Sequence, residues 1–293
     1  MQPTFDHGIR PLSDREFRRF QKLIHRESGI YLSEPKKALV SGRLTRRLRT
    51  LELRDFTSYL DRVESDDSVE RAEMLDCICT NETRFFREPR QFEFLDEKIL
   101  PRWRSEAASG ARQKRIRVWS AACSTGEEPY SLAMLLRAHL ASEEAWNTEI
   151  LASDLSTRVL GVAREGVWNI ERAHDIPRPY QRAYMLRGVR SAEGKMHARP
   201  ELQRMIDFRR INLNAERYPI EGSFDLIFCR NVLIYFNQET KSAVIDRLAR
   251  HLAPDGYLFL GHSETIAAAA HGLQHAGPAA YRRAAAPNNS AKD

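Results

Sequence analysis

Cysteine is scarce in this chain: four in 293 residues, at Cys77, Cys79, Cys123 and Cys229. Cys77 and Cys79 form a C-x-C, which is not a zinc-knuckle spacing, and the other two stand alone. The four are read as reduced thiols. The nine histidines include no H-E-x-x-H and no H-x-E followed by C-x-x-C, so no metal site is expected. No apolar run approaches the length of a membrane span. The stretch from Met1 to Arg10 has no apolar core of the signal-peptide kind. The chain is therefore expected to be soluble and cytoplasmic, with no membrane insertion. A dinucleotide fingerprint, G-x-G-x-x-G, is also missing, which counts against a nicotinamide or flavin enzyme. There is no internal repeat.

What is present is an ordinary globular balance, 42% hydrophobic and 29% charged, over a length that suits one large domain plus a small one. The net charge is +6. That excess suits an acidic partner, and alone it leaves nucleic acid, anionic lipid and an acidic protein face all open.

Residues 1–80 read as an all-helical N-terminal domain. Ser13 and Asp14 can cap a helix whose Phe17, Phe20, Leu23 and Ile24 fall at helical spacing, and Gly29 ends it. A second helix starts near Pro35 and carries Val40, Leu44, Leu48 and Leu51 on one stripe. A third runs from Phe56 to Val63, and a fourth from Val69 towards Cys79. Residues 81–92 read as a linker. From 93 to 283 the pattern becomes an α/β alternation. Strands are expected at Ile116–Ser120, Glu149–Ser153, Met205–Asn212, Phe224–Cys229 and Gly256–Leu260. Helices are expected at Pro129–Leu140, around Val159 and at Gln238–Leu252. This order predicts a parallel sheet with helices on both faces. The polar stretch 168–200, which holds Pro177, Pro179, Gly188 and Gly194, interrupts it and reads as an insertion. Ala279–Arg283 is expected as a final edge strand. The Ala- and Asn-rich residues 284–293 read as a disordered tail.

The stretch Ile116-Arg-Val-Trp-Ser-Ala-Ala-Cys-Ser-Thr-Gly-Glu-Glu-Pro-Tyr-Ser131 ends a strand, continues in small residues and opens a helix. Small residues there let a ligand approach the backbone at the carboxyl end of the first strand. A tight strand-to-helix turn with no ligand would use the same residues. The second strand ends in Asp154, which can accept hydrogen bonds from a ribose diol or cap the next helix. A ribose without a phosphate loop points to an adenosine cofactor, S-adenosylmethionine being the usual one for such a sheet. The fourth strand runs into Arg230, Asn231 and Tyr235, where the transferred group belongs. From spacing alone Tyr235 reads as an aromatic packed in the crevice.

Four segments together carry a resemblance. Asn81-Glu-Thr83-Arg-Phe-Phe-Arg87, Ser124-Thr-Gly-Glu-Glu-Pro-Tyr-Ser131, Phe228-Cys-Arg230-Asn231-Val-Leu-Ile-Tyr235-Phe236 and Gly261-His-Ser-Glu264 resemble the CheR family of chemotaxis receptor methyltransferases. The resemblance extends from about Ser13 to Arg283. It implies a class I (Rossmann-like) methyltransferase sheet, with a small antiparallel β-subdomain inserted at about 168–200 and a helical N-terminal domain. It implies S-adenosylmethionine as cofactor, with S-adenosylhomocysteine as product, and transfer of methyl to glutamate side chains of chemoreceptors. By position, Asn81, Thr83 and Arg87 would reach over the cofactor. Glu128 would hold its amino-acid end, Asp154 its ribose, Asn212 and Leu213 its adenine, and Arg230 and Asn231 would complete the pocket. Arg87 and Tyr235 would lie nearest the methyl group.

A glutamate side chain ionises near pH 4.3. It therefore attacks a sulfonium methyl without a general base, and catalysis rests on positioning and desolvation. Arg87 would pair with a carboxylate, because a bare guanidinium beside a sulfonium is repulsive. Between Lys36 and Leu51 the basic residues Lys36, Lys37, Arg43, Arg46, Arg47 and Arg49 occur with no acid among them. This reads either as a solvated face or as a surface for the acidic helical bundle of a receptor. Some family members also grip a receptor C-terminal peptide through the β-subdomain. Arg187–Gly194 matches that loop in length, but Arg190 replaces a glycine of the pattern and His197 an arginine, which leaves a tether open. Two rival readings are a nucleic-acid methyltransferase and a non-catalytic adaptor that binds the cofactor. The first would carry a D/N-P-P-Y/F segment where this chain has Arg230-Asn-Val-Leu. Against the second, Arg87, Asp154, Asn231 and Tyr235 are all retained.

Overall fold

The computed structural model describes residues 8–65, 67–140 and 146–283; the expected tail at 284–293 lies outside them. Helix α1 (Asp14–Ser28) begins in a capping box. Ser13 accepts from the Glu16 N–H, and the Glu16 carboxylate accepts from the Ser13 N–H, so two orphan donors of the first turn are satisfied. It ends at Gly29, whose φ is +76°. A methyl group there would sit 2.9 Å from Thr240 Cγ2, so the position needs glycine both for its left-handed backbone and for room. A short 3-10 turn containing Pro35 leads into α2 (Lys37–Thr50). Asp55 and Asp67 cap α3 (Phe56–Glu64) and α4 (Ser68–Ile78). These four helices enclose their own core of Phe17, Phe20, Leu44, Leu48, Tyr59 and Met74.

Residues from Pro89 onward form a helix that sequence reading did not anticipate. α5 (Pro89–Phe94) passes through a π turn (Leu95–Ile99) into α6 (Leu100–Ala108). Phe92, Leu95, Ile99 and Trp103 line its buried side. The last residues of the expected linker are therefore helical.

The remaining chain alternates as expected: β1 (Arg115–Ala121), α7 (Glu127–Leu140), β2 (Asn147–Asp154) and α8 (Thr157–Glu165). The insertion holds β3 (Val167–Asn169), α9 (Arg178–Tyr184), β4 (Met185–Arg187) and β5 (Lys195–Ala198), which form a three-stranded antiparallel sheet ordered β3-β5-β4. Then come α10 (Pro200–Gln203), β6 (Ile206–Arg210), β7 (Phe224–Cys229), α11 (Gln238–Arg250), β8 (Leu252–Leu260), β9 (Leu273–Gly277) and β10 (Ala280–Arg283). The large sheet is ordered β6-β2-β1-β7-β8-β10-β9. Its first five strands are parallel, and β10 runs antiparallel to both β8 and β9. The final strand is thus not an edge: β9, missed in the sequence, takes the edge, and β10 inserts between it and β8.

Alternation along β1 divides the core in two. Ile116 and Val118 face the layer containing α6, α7 and the insertion; Trp119 and Ala121 face α11. A strand buried on both faces explains the near-continuous apolar runs.

The helical domain sits at the carboxyl ends of the parallel strands. The Tyr31 N–H donates to the Tyr235 carbonyl at 2.7 Å, and Ile30 forms a β-bridge with Phe236. Asn212 donates to the Glu27 carbonyl at 2.6 Å, and Asn214 to that of Arg26 at 3.3 Å. Asp76 accepts from the Arg158 N–H at the start of α8 at 3.3 Å.

Candidate active site

Strand ends and helix starts leave backbone donors and side chains converging above the sheet. After β1 the chain turns sharply, with Ala122 at φ +76° and Ser124 at φ +51°. Both are sterically unfavourable for residues with a Cβ. The turn is held by its neighbours. The Ala122 and Cys123 N–H groups both donate to the Ser153 carbonyl at 2.8 Å, and the Ser124 N–H donates to Asp154 at 2.9 Å. Asp154 also accepts from the Ser156 N–H at 3.0 Å. The cap of α8 is Ser156 and not Asp154. Burial pushes the Asp154 carboxyl above its ordinary value, against the pull of the backbone N–H groups of Ser156, Ser124 and Leu155. Each Asp154 oxygen accepts one bond here and has capacity for another.

At the other end stands a buried ion pair. Arg230 Nε donates to Glu128 at 2.7 Å, and its Nη1 donates to the Arg87 carbonyl at 2.6 Å and to Gln91 at 2.9 Å. Glu128 accepts in addition from Ser120 at 2.6 Å. The Arg230 side chain is 2% exposed. Such a pair is costly to break from one side, because the partner charge stays buried. Arg230 therefore fixes Glu128 and the linker as much as it shapes the cavity.

All ten sequence-predicted residues line one cavity: Asn81, Thr83, Arg87, Glu128, Asp154, Asn212, Leu213, Arg230, Asn231 and Tyr235. Asn212 lines it with its side chain already engaged: the amide nitrogen donates to Glu27 and the oxygen accepts from the Asn214 N–H. The Arg87 guanidinium is half-buried and donates to the Glu82 carbonyl at 3.0 Å. No ion pair of Arg87 occurs among the described residues. Lys36 Nζ lies 5.9 Å from the centre of the Tyr235 ring.

Sequence reading missed the contribution of the helical domain. Ser28, Ile30, Lys36, Leu39, Arg43 and Ile78 form part of the wall. It also missed Glu88, which accepts from Asn231 Nδ2 at 3.2 Å, and gave no role to Glu264, although the motif that contains it was noted. Among the described residues no group of His, Cys, Asp or Glu is placed to hold a metal ion.

The basic run of α2 is not one face. Arg43 donates to the Ile78 carbonyl and to Thr80. Arg47 forms a bidentate pair with Glu70 at 2.9 and 2.7 Å and lies 3.4 Å from Glu73. Lys37 pairs with Asp14. Arg46 and Arg49 are exposed. The four arginines of the expected docking surface are thus split: Arg43 and Arg47 turn into the fold, and Arg46 and Arg49 lie exposed.

The cavity fits an adenosyl sulfonium in its donor set. It offers a carboxylate with spare acceptor capacity at the end of β2, apolar walls from Leu155, Ile211, Leu213 and Ile78, and a second carboxylate, Glu128, near the far end. Sheet order, cavity position and these acids define a class I methyltransferase that uses S-adenosylmethionine. Residues 81–281 match the family description "CheR methyltransferase, SAM binding domain", and residues 15–79 match "CheR methyltransferase, all-alpha domain". The chain belongs to the CheR methyltransferase family. It is 37% identical to the chemotaxis protein methyltransferase of Borreliella burgdorferi over 96% of this chain and 98% of that one. It is 42% identical to that of Escherichia coli, over 87% of this chain and 86% of that one. For chemotaxis protein methyltransferase 2 of Pseudomonas aeruginosa the identity is 37%, over 95% and 96%. No helix among the described residues is long and apolar enough to cross a membrane.

Proposed function

We propose that this enzyme esterifies glutamate side chains of chemoreceptors, using S-adenosylmethionine as methyl donor. The observation that carries the reading is Arg87: a half-buried guanidinium in the cavity wall, hydrogen-bonded to a carbonyl and with no carboxylate partner among the described residues. A substrate carboxylate supplies that partner. No histidine is among the cavity-lining residues, and a glutamate already ionised at neutral pH needs no general base. Bound in the cavity, the cofactor supplies an electrophilic methyl group on a sulfonium.

The chain's own residues have separable roles in this reading. Asp154 accepts from the ribose hydroxyls. Glu128, fixed by Ser120 and Arg230, faces the amino-acid end. Leu213 and Asn212 flank the adenine. Asn81 and Thr83 close the linker over the site, Arg230 and Asn231 complete the wall, and Arg87 and Tyr235 orient the attacking carboxylate. The receptor is met by the outward cations Arg46 and Arg49 together with Lys36. A glutamate-rich bundle is the complementary surface.

The test is transfer of labelled methyl to a purified receptor cytoplasmic fragment, followed by mild base. Esters release the label, and N-methyl groups keep it. Base-labile label supports the reading. Base-stable label, or none from protein that binds the cofactor, rejects it.

A further inference from the structure

The backbone of the loop that carries Asn231 and Tyr235 converges on a buried carboxylate. Glu264 is 2% exposed. It accepts from the Asn231 N–H at 2.8 Å, the Leu233 N–H at 2.7 Å and the Gly261 N–H at 2.6 Å. No cation pairs with it among the described residues. Asn231 has φ +58°, a conformation that must be imposed from outside on a residue with a side chain. Leu233 opens the 3-10 turn that ends in Tyr235. Burying a carboxylate without a cation is expensive, and backbone donors offset that cost only while all of them point at it. Burial accordingly pushes the Glu264 carboxyl up, and the N–H groups of Gly261, Asn231, Leu233 and Ile234 pull it back down. The packing around it is closed. A methyl group on Gly261 would lie 2.7 Å from both Asn231 Nδ2 and Glu264 Oε2.

From this geometry we propose that Glu264 is a positioning residue of the methyl transfer: it fixes the left-handed turn at Asn231 and the turn at Tyr235, and so sets where both meet cofactor and substrate. This rests on the reading of the cavity as the transfer site.

Glu264→Gln tests it. One Glu264 oxygen serves Asn231 and Gly261 and the other serves Leu233. A glutamine must turn its NH₂ donor against one of these N–H groups. The least disruptive choice sacrifices Leu233, which loosens the turn at Tyr235. Expected is a fall in kcat of at least tenfold, a several-fold rise in the cofactor Kd measured by calorimetry, and a receptor KM within twofold of the parent. Gly261→Ala disturbs the same junction from the other side and should give the same split. Leu140→Ala, a cavity-creating change at the far end of α7, serves as the stability control. It should lower the melting temperature while leaving kcat, Kd and KM within twofold. The proposal is overturned if Glu264→Gln keeps kcat within twofold, or if its losses merely parallel those of Leu140→Ala. Calorimetry needs no receptor, and the parent enzyme reports separately on receptor methylation. A failure of the functional reading is therefore distinguishable from a failure of this one.

Discussion

Arg47 shows how a residue expected to bind a partner can instead hold the fold. It spans α2 to α4 and pairs with Glu70, whose side chain is 3% exposed. Arg47→Met keeps much of the aliphatic stem packing and removes the charge. Glu70 then stays buried with only the Tyr59 hydroxyl, at 2.8 Å, as a side-chain donor. Stranding one member of a buried pair costs about 3–5 kcal/mol; the remaining hydroxyl places this case near about 3 kcal/mol. Hydrogen exchange of the α2 and α4 amides reads this as an opening free energy. Since each 1.4 kcal/mol is tenfold, protection should fall on the order of a hundredfold. Neutralising the stranded acid in Arg47→Met/Glu70→Gln should recover roughly 1–2 kcal/mol, because the uncompensated charge is gone. Protection unchanged within about threefold in the single variant, or a double variant no better than the single, would refute the account. Lost receptor methylation in an Arg47 variant would therefore report unfolding of the helical domain and say nothing about docking.

An exposed residue gives the docking test: Arg46→Glu should raise the receptor KM several-fold at low salt and much less at high salt, with the cofactor Kd unchanged in calorimetry. Equal KM values at low salt would remove α2 from the receptor surface. Acidification bears on Asp154. Its carboxyl is raised by burial, so it takes up a proton at a pH above the ordinary aspartate range and loses acceptor capacity. The cofactor Kd should therefore rise as pH falls through that raised value, and Asp154→Asn should bind weakly with this limb abolished. The sign for folding is opposite: ionised Asp154 costs stability at neutral pH, and protonation relieves that cost. A Kd flat with pH down to the onset of acid unfolding would exclude the role.

How legible the fold was in the sequence depended on how local its causes were. α1 could be read because Ser13, Glu16 and Gly29 act within the helix itself. β1, β2 and β7 could be read because double-sided burial writes an apolar run. The helix through Pro101 could not. A proline inside a helix removes a donor and crowds the preceding turn, and here it follows a π turn at Leu95–Ile99 that no sequence period announced. β9 is short and polar at Gln274 and His275, and it exists because β10 pairs with it. The candidate residues were picked from motifs, from the end of a strand and from position in the family pattern, and all ten line one cavity. What the motifs could not show was which side chains were already spent. Asn212 reaches Glu27, 185 residues away, and Arg230 reaches Glu128, 102 away. Pairings at that separation follow from tertiary structure alone.

Charge also organises the order of events at the site. Arg87 has no carboxylate of its own among the described residues, so in the proposed reading it favours a substrate that brings one. Methylation consumes that charge: the ester accepts hydrogen bonds but no longer pairs as an ion, so the contact weakens from an ion pair to a hydrogen bond between a charged donor and a neutral acceptor. The ester thus leaves surroundings that suited it better as a carboxylate, and the enzyme should discriminate against receptor already esterified. A receptor fragment with its target glutamates fully methylated should accordingly inhibit turnover weakly, with an inhibition constant about tenfold or more above the KM of the unmodified fragment. Replacing Arg87 by Met should narrow that ratio, because the cation that distinguishes carboxylate from ester is gone. Equal affinity for both forms in the parent enzyme would mean that Arg87 does not read the charge of the substrate, and the role assigned to it at the transfer site would fall with that result.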